Sequence, residues 1–325
     1  MACPVASRAE RLGINLLAAH GRFTACPWAP MAPRYRRYMP ANFKAELVGC
    51  FGRPVAENPT GAMQEAAFEA LGLNWRYLTV EVKPDDLGNA MLGARAFGMQ
   101  GVNLTIPHKV SVIPYLDETA PDAAIIGAVN TVRREGDKLI GENTDGKGFL
   151  CGVRTDAGVD PKGKRAVVLG AGGAARAIVT ELALAGASDV LVVNRFVERG
   201  EQMAAELASS TNAPIRFKAW QGYYLVPAET DILVNATSIG LYPNSDAMPP
   251  VDLSAAQPRM LVCDAVFNPP ETRLIATARK QGLPVLDGLA MLVYQGAIAF
   301  ELWTHEPAPE QVMKQALREA LGLPR

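Results

Sequence analysis

From Glu46 onward the chain alternates between two hydrophobic periods. The runs ELVGCF, YLTVEV and GVNLTI are short and rich in aliphatic residues, which predicts strands, while GAMQEAAFEALG and NAMLGARAFG between them carry apolar residues at helical spacing. Strands separated by helices pair in parallel, so a mostly parallel sheet is expected. AVNTVRREGDKLIGENT breaks the rhythm: two extended runs flank Gly136 and Asp137, a turn pair that predicts a local antiparallel excursion at the edge of the domain.

A second alternating series opens with RAVVLG and passes through the helical AARAIVTELALAG to the strand DVLVVN. It continues to the apolar runs ILVNAT, MLVCDAV and LPVLDG, which amounts to a Rossmann half and more. Beyond Gly288 the pattern turns helical, in MLVYQGAIAFELWTH and PEQVMKQALREALG, and this tail is expected to return to the first sheet. The predicted fold class is α/β. It combines a discontinuous N-terminal substrate domain with a mostly parallel sheet, residues 45–144 and 288–325, and a Rossmann nucleotide-binding domain, residues 145–287.

Residues 1–44 differ in kind. Arg8, Arg11, Arg22, Arg34, Arg36, Arg37 and Lys44 face the single acid Glu10 among frequent Pro and Ala, which reads as a disordered extension or as translation from an upstream start, with Met39 as the alternative. LGINLLAA has the look of a short signal core, but Asn15 interrupts it and no clean small-residue cleavage site follows.

Composition narrows the partners. With 49% apolar residues, 20% charged residues and a net charge of −1 in 325 residues, no basic field draws the chain to nucleic acid or membrane, and a small molecule is the expected partner. No apolar stretch reaches the roughly 20 residues that span a bilayer. Five cysteines, odd in number and without a CxxC pair, read as reduced cytoplasmic thiols, and three histidines without HxxxH spacing point to no metal.

GAGGAAR at 170–176 follows a strand and opens a helix. Gly170 permits the tight turn, Gly172 lets a pyrophosphate approach the backbone, and Ala175 allows close packing of helix on strand. This is the pattern of a dinucleotide site; a purely structural glycine turn is the other reading. The end of the next strand carries Asn194 and Arg195, with Arg199 a turn later, where an NAD site would place a carboxylate for the ribose hydroxyl. Guanidinium groups there suit a 2′-phosphate, so NADP is expected as cofactor with NAD as the weaker alternative, unless these are merely solvated surface arginines. Lys109 and Asp145 fall near predicted strand ends of the first sheet. Hydride transfer to a ketone needs a proton donor, which a desolvated Lys supplies, although each residue alone also reads as a surface charge.

The ordered series NLTIPHK, GAVNT, NTDGKG, VVLGAGGAAR, VVNR, NATSIG, DAVFNPPET and DGLAMLVYQGAIAFE resembles the shikimate and quinate dehydrogenase family across residues 46–305. The resemblance implies a catalytic dyad of Lys109 and Asp145, and substrate contacts from Thr105, Asn130 and Gln295 as well as Asp145. It also implies that Gly170, Gly172, Gly173, Ala174 and Gly288 lie along the cofactor, that Asn194, Arg195 and Arg199 hold the 2′-phosphate, and that Thr237 and Ser238 line the nicotinamide side. Phe196 stands where a Thr is usual, and Phe267 where a Tyr is common. The first loop departs further. Where the family resembles HSxSP, with both serines on the substrate carboxylate, this chain has Glu57, Asn58, Pro59, Thr60 and Gly61, followed by the equally atypical Gln64 and Glu65. Asn58 and Thr60 occupy the serine positions and can still donate, Thr60 being similar to quinate-using relatives, whereas an inward Glu57 would oppose a carboxylate.

The implied activity is NADP-dependent, reversible oxidation of shikimate to 3-dehydroshikimate. Quinate or another cyclic hydroxy acid is the alternative substrate, a non-catalytic NADP-binding sensor a more distant one. A third reading makes the Arg-rich N-terminus an arm that docks on RNA or membrane. A monomer or homodimer is expected.

Overall fold

The computed structural model describes residues 43–323, so residues 1–42, on which the expectations for the Arg-rich stretch rest, lie outside the described residues. The first sheet is assembled from β1 (Glu46–Gly52), β2 (Trp75–Glu81), β3 (Gly101–Leu104), β4 (Glu118–Thr119), β5 (Thr131–Glu135) and β6 (Lys138–Glu142), in the order β2-β1-β3-β5-β6-β4. Helices α1 (Thr60–Ala70) and α2 (Leu87–Ala96) make the parallel crossovers between β1, β2 and β3. The short helices α3 (His108–Ser111) and α4 (Pro121–Ile126) follow, the latter with Pro in its first turn and Gly127 at φ 69° just past its end. Proline there loses no helical hydrogen bond, and glycine accepts the left-handed turn without strain.

The β5–β6 hairpin is antiparallel and turns at Gly136, φ 60°. It does not form the edge of the sheet, because β4 adds parallel to β6 and covers it. A two-residue strand leaves no sequence period to reveal it.

After α5 (Thr144–Thr155) comes the second sheet, all parallel, in the order β14-β13-β11-β7-β8-β9. Its strands are β7 (Arg165–Leu169), β8 (Asp189–Asn194), β9 (Ile215–Ala219), β11 (Ile232–Asn235), β13 (Leu261–Asp264) and β14 (Val285–Leu286), with β10 (Tyr224–Leu225) and β12 (Val251–Asp252) forming a separate pair. Helices α6 (Gly173–Leu184), α7 (Val197–Thr211) and α8 (Arg273–Lys280) cover it. The chain builds outward from β7 in one direction and from β11 in the other, so a crevice opens beyond the carboxyl ends of these two neighbours.

The tail returns to the first sheet. In α9 (Gly288–Thr304) and α10 (Glu310–Ala320), Phe300, Trp303, Met313 and Leu317 enter the same buried cluster as Val48 and Phe68. Phe300 stacks on Phe68 at 5.4 Å between centroids, and Trp303 Nε1 donates to Val132 O at 2.9 Å. The indole occupies the space over Gly101, where a Cβ would lie 2.1 Å from Nε1. Between the sheets, α9 also packs on α5 through Gly148, whose missing Cβ lets the backbone N of Gln295 approach.

Candidate active site

Two helix starts and one strand end converge at the first sheet. Lys109 lies in α3, just beyond β3, and Asp145 in the first turn of α5, where the helix dipole favours a carboxylate. Lys109 Nζ donates to Asp145 Oδ2 at 2.5 Å, and the two side chains are 30% and 14% exposed, so the pair is sheltered yet reachable. The other carboxylate oxygen accepts from Asn130 Nδ2 at 2.8 Å. Asn130 Oδ1 accepts from the backbone N of Thr144 at 2.7 Å, which orients the amide so that its nitrogen faces Asp145. Gln295 Oε1 is 3.5 Å from the same nitrogen. Thr105 follows β3 directly and lays its methyl against Gly52, where any Cβ would lie 2.2 Å away. The structure therefore brings Lys109, Asp145, Asn130 and Gln295 into one hydrogen-bonded group.

Beneath that group runs a buried polar chain that the linear sequence conceals. Tyr77 OH donates to Asn103 Oδ1 at 2.8 Å, Asn103 Nδ2 donates to Thr131 Oγ1 at 2.9 Å, and Thr131 and Thr144 share a hydroxyl contact at 3.1 Å. Thr144 Oγ1 accepts from Asn130 Nδ2 at 2.9 Å, closing the path to Asp145. At the other end, burial pushes the Cys50 thiol up to about 11, against the Tyr77 hydroxyl beside it and the charge of Lys109. Burial, then Cys50, likewise raises Tyr77 well above its usual value.

The first loop meets this chain. Asn58 Nδ2 points at Cys50 Sγ, 3.8 Å away, and Asn58 Oδ1 accepts from the backbone N of Thr60 at 2.9 Å. Thr60 is buried at the start of α1, and Glu57 is exposed. One turn on, fully buried Gln64 donates to Gly296 O at 2.8 Å, while its Oε1 has no donor. Glu65 has a structural use, accepting from the backbone N of Tyr77 at 2.5 Å and so fixing the start of β2 against α1. Phe267 is half-buried against the α1–α9 cluster.

On the second sheet, Gly170 has φ 111° and a Cβ on it would meet Ala236 O at 2.9 Å, so the turn requires glycine. Gly172 and Gly173 face open space, and Arg176 N is bonded to Gly172 O, so the amides of Gly173, Ala174 and Ala175 precede the first hydrogen bond of α6 and point outward. Arg176 itself is spent on structure, donating to the carbonyls of Ile125 and Ile126 and pairing with Glu206 at 2.7 Å. Asn194 is buried and donates to Phe196 O at 2.9 Å. Arg195 and Arg199 are exposed and pair with no carboxylate among the described residues. Together with Phe196 they line an open depression, the Arg195 guanidinium lying 5.7 Å from the Phe196 ring. Open glycines, free helix-start amides and two unpaired guanidinium groups along one edge fit a dinucleotide bearing a third phosphate.

Thr237 turns its hydroxyl onto Asn235 Oδ1 at 2.7 Å, Ser238 is exposed, and Gly288 permits α9 to start against Val266 O, 2.2 Å from where a Cβ would stand. Behind them Asp264, missed in sequence reading, accepts from Asn235, Val266 N and Thr272 at 2.9, 3.0 and 2.7 Å. Among the described residues no cluster of three His, Cys, Asp or Glu side chains could hold a metal, and no helix is long and apolar enough to cross a membrane.

Family models match in three places: the shikimate dehydrogenase substrate binding domain over residues 50–132, shikimate / quinate 5-dehydrogenase over 154–262, and the shikimate 5'-dehydrogenase C-terminal domain over 288–318. A shikimate dehydrogenase (NADP(+)) of Methanopyrus kandleri is 45% identical over 280 residues, 86% of this chain and 97% of the relative. Among solved structures, the ligand-free 5-ketofructose reductase of a Gluconobacter species is 46% identical, with a TM-score of 0.82 over 86% of this chain and 99% of that one. A shikimate dehydrogenase in complex with NADP+ is 40% identical, with a TM-score of 0.80 over 86% and 97%. This chain belongs to the shikimate dehydrogenase family and is an NADP-dependent oxidoreductase of it.

Proposed function

We propose that the protein catalyses the reversible NADP-linked oxidation of shikimate to 3-dehydroshikimate, with Lys109 and Asp145 handling the proton. The observation that carries this reading is the 2.5 Å contact of Lys109 Nζ with a carboxylate whose second oxygen Asn130 already holds. During oxidation Lys109 as the free amine takes the proton of the ring hydroxyl and becomes the ammonium, and during reduction the ammonium returns that proton to the same oxygen. Asp145 keeps the ammonium aimed and accepts from the hydroxyl, while Asn130, Gln295 and Thr105 fix the ring by its remaining hydroxyls. Bound NADP would supply the hydride acceptor or donor; Asn194, Arg195 and Arg199 would hold its 2′-phosphate, the amides of Gly173 and Ala174 its pyrophosphate where Gly172 and the Gly170 turn leave room, and Thr237, Ser238 and Gly288 would flank its nicotinamide end. On this reading residues 45–144 and 288–325 bind substrate, residues 145–287 bind cofactor, and the enzyme works in the cytoplasm as a monomer or homodimer.

The direct test is the initial rate of NADPH formation with shikimate and with quinate, each repeated with NAD. Efficient turnover of shikimate with NADP supports the assignment; turnover of neither acid by folded, cofactor-binding protein overturns it. A second reading, a paralogue for quinate or another polyol, is favoured by Asn58 and Thr60 in the serine positions, and the 46% identical 5-ketofructose reductase adds a ketose to the compounds worth assaying.

A further inference from the structure

We infer that the pocket has a further activity on uncharged polyhydroxylated rings, because its anchoring loop recognises a hydroxyl-like group and not specifically an anion; this rests on the hydride-transfer reading above. The loop's one helix-start amide is already committed, and its remaining donors are neutral side-chain groups. Asn58 Oδ1 accepts the Thr60 amide at 2.9 Å, so the first N–H of α1, which would attract an anion, is satisfied within the protein and its place is taken by a carbonyl oxygen. Asn58 Nδ2 faces a sulfur, a weak acceptor, and remains available as a neutral donor.

The charges point the same way. Lys109 is matched by Asp145, and Arg53, which follows Gly52 and donates its backbone N–H to Ile106 O beside Thr105, pairs with Glu81 at 3.7 Å. Glu57 adjoins Asn58, is exposed, and pairs with no cation among the described residues. Arg53 and Lys109 thus each face a carboxylate, loosely for the exposed Arg53 pair, while Glu57 adds an exposed, unpaired negative charge beside the loop.

The third observation is independent of charge. Gln64, one helical turn from Thr60 on the same face of α1, carries a fully buried Oε1 with no donor. Its amide nitrogen is bonded to Gly296 O, so the buried face of α1 beside Thr60 is lined by a neutral group and not by a cation. A hydroxyl offers both a donor and an acceptor, and the Thr60 hydroxyl, which has no protein partner among the described residues, can meet it either way.

The experiment compares shikimate with its methyl ester, which keeps the ring and all hydroxyls but has no charge, as substrates for the full-length protein with NADP+. The expected result is kcat/KM for the ester within tenfold of that for the acid, and a larger loss than tenfold overturns the inference, since a pocket built around an anion leaves its donors unmatched when the charge is gone. The Asn58→Ser, Thr60→Ser double variant should shift the acid-to-ester ratio of kcat/KM toward the acid by about tenfold, and Glu57→Gln should raise the same ratio, more so at low salt than at high salt. Ratios that stay at the wild-type value in both variants also overturn it. Turnover of shikimate without the ester refutes the inference and leaves the hydride-transfer reading standing, whereas turnover of neither compound by protein that still binds NADPH refutes both.

Discussion

Lys109 and Asp145 act as one unit, because each fixes the other's geometry and Asn130 fixes Asp145 from behind. Replacing Lys109 with Ala should lower kcat by about a hundredfold or more, the usual worth of a positioned proton donor, while NADPH affinity measured by fluorescence titration stays near wild type. Loss of cofactor binding along with turnover would mean that Lys109 holds the fold and not the proton. Asp264 makes a different prediction. Burial pushes its carboxyl from the usual 3.8 up to about 6, against three hydrogen bonds that favour the charged form. The folded value lies above the unfolded one, so the folded state binds the proton more readily between them. The stabilisation is complete below about pH 4 and disappears as pH rises through 6, by at most roughly 3 kcal/mol at 1.36 kcal/mol per unit. Urea unfolding of wild type and Asp264→Asn should show the difference moving toward wild type as pH falls from about 7 to 4.5; a difference independent of pH would sink this assignment. Neither Asp264 nor Tyr77 announces itself in the sequence. The glycine turn follows from its local motif, the contact of Lys109 with Asp145 was implied only by the family resemblance because each alone reads equally as a surface charge, and a buried acid is defined by what surrounds it.

At the level of elements, the contact between α5 and α9 positions the site most directly. Gly148 lets the backbone of Gln295 come so close that an added Cβ would stand 2.5 Å from its N and 2.9 Å from Met291 O, neither of which can swing aside. Gly148→Ala should cost about 1–3 kcal/mol, read from the urea midpoint, as overpacked cores do. It should also raise the substrate KM by moving Gln295 from Asn130 while leaving the KM for NADP unchanged; equal effects on both would show a general loosening. The strands and helices of both sheets follow the hydrophobic periods of the sequence closely, and the hairpin turn at Gly136 was legible from its two residues. The polar chain from Tyr77 through Asn103 and Thr131 to Thr144 was not. Its members come from β2, β3, β5 and α5, and only sheet register brings them together. In the same way the sequence shows that Asn58 replaces a serine but not that its carbonyl oxygen caps Thr60.

For the whole molecule, cofactor choice and stability are linked, since any ligand that prefers the folded chain raises its unfolding temperature. NADP at about a hundred times its Kd should add about 2.7 kcal/mol. The Arg195→Ala, Arg199→Ala double variant should need at least about tenfold more NADP for the same thermal shift, with the response to NAD unaltered. An equal loss for both dinucleotides would place these arginines outside the 2′-phosphate site. The two-sheet architecture and the return of the tail were legible from the order of strands and helices, because a parallel sheet needs crossovers and the last two helices have no strands of their own to cover.

That return has a consequence for how the protein comes into being. Val48 and Phe68 find Phe300, Trp303, Met313 and Leu317 only when the last helices exist. On the ribosome the β7–β14 sheet has all its strands while the earlier-made sheet still lacks the indole that fills the space over Gly101. The first sheet to be synthesised thus waits longest for its full set of packing partners, which exist only once the last two helices have been made.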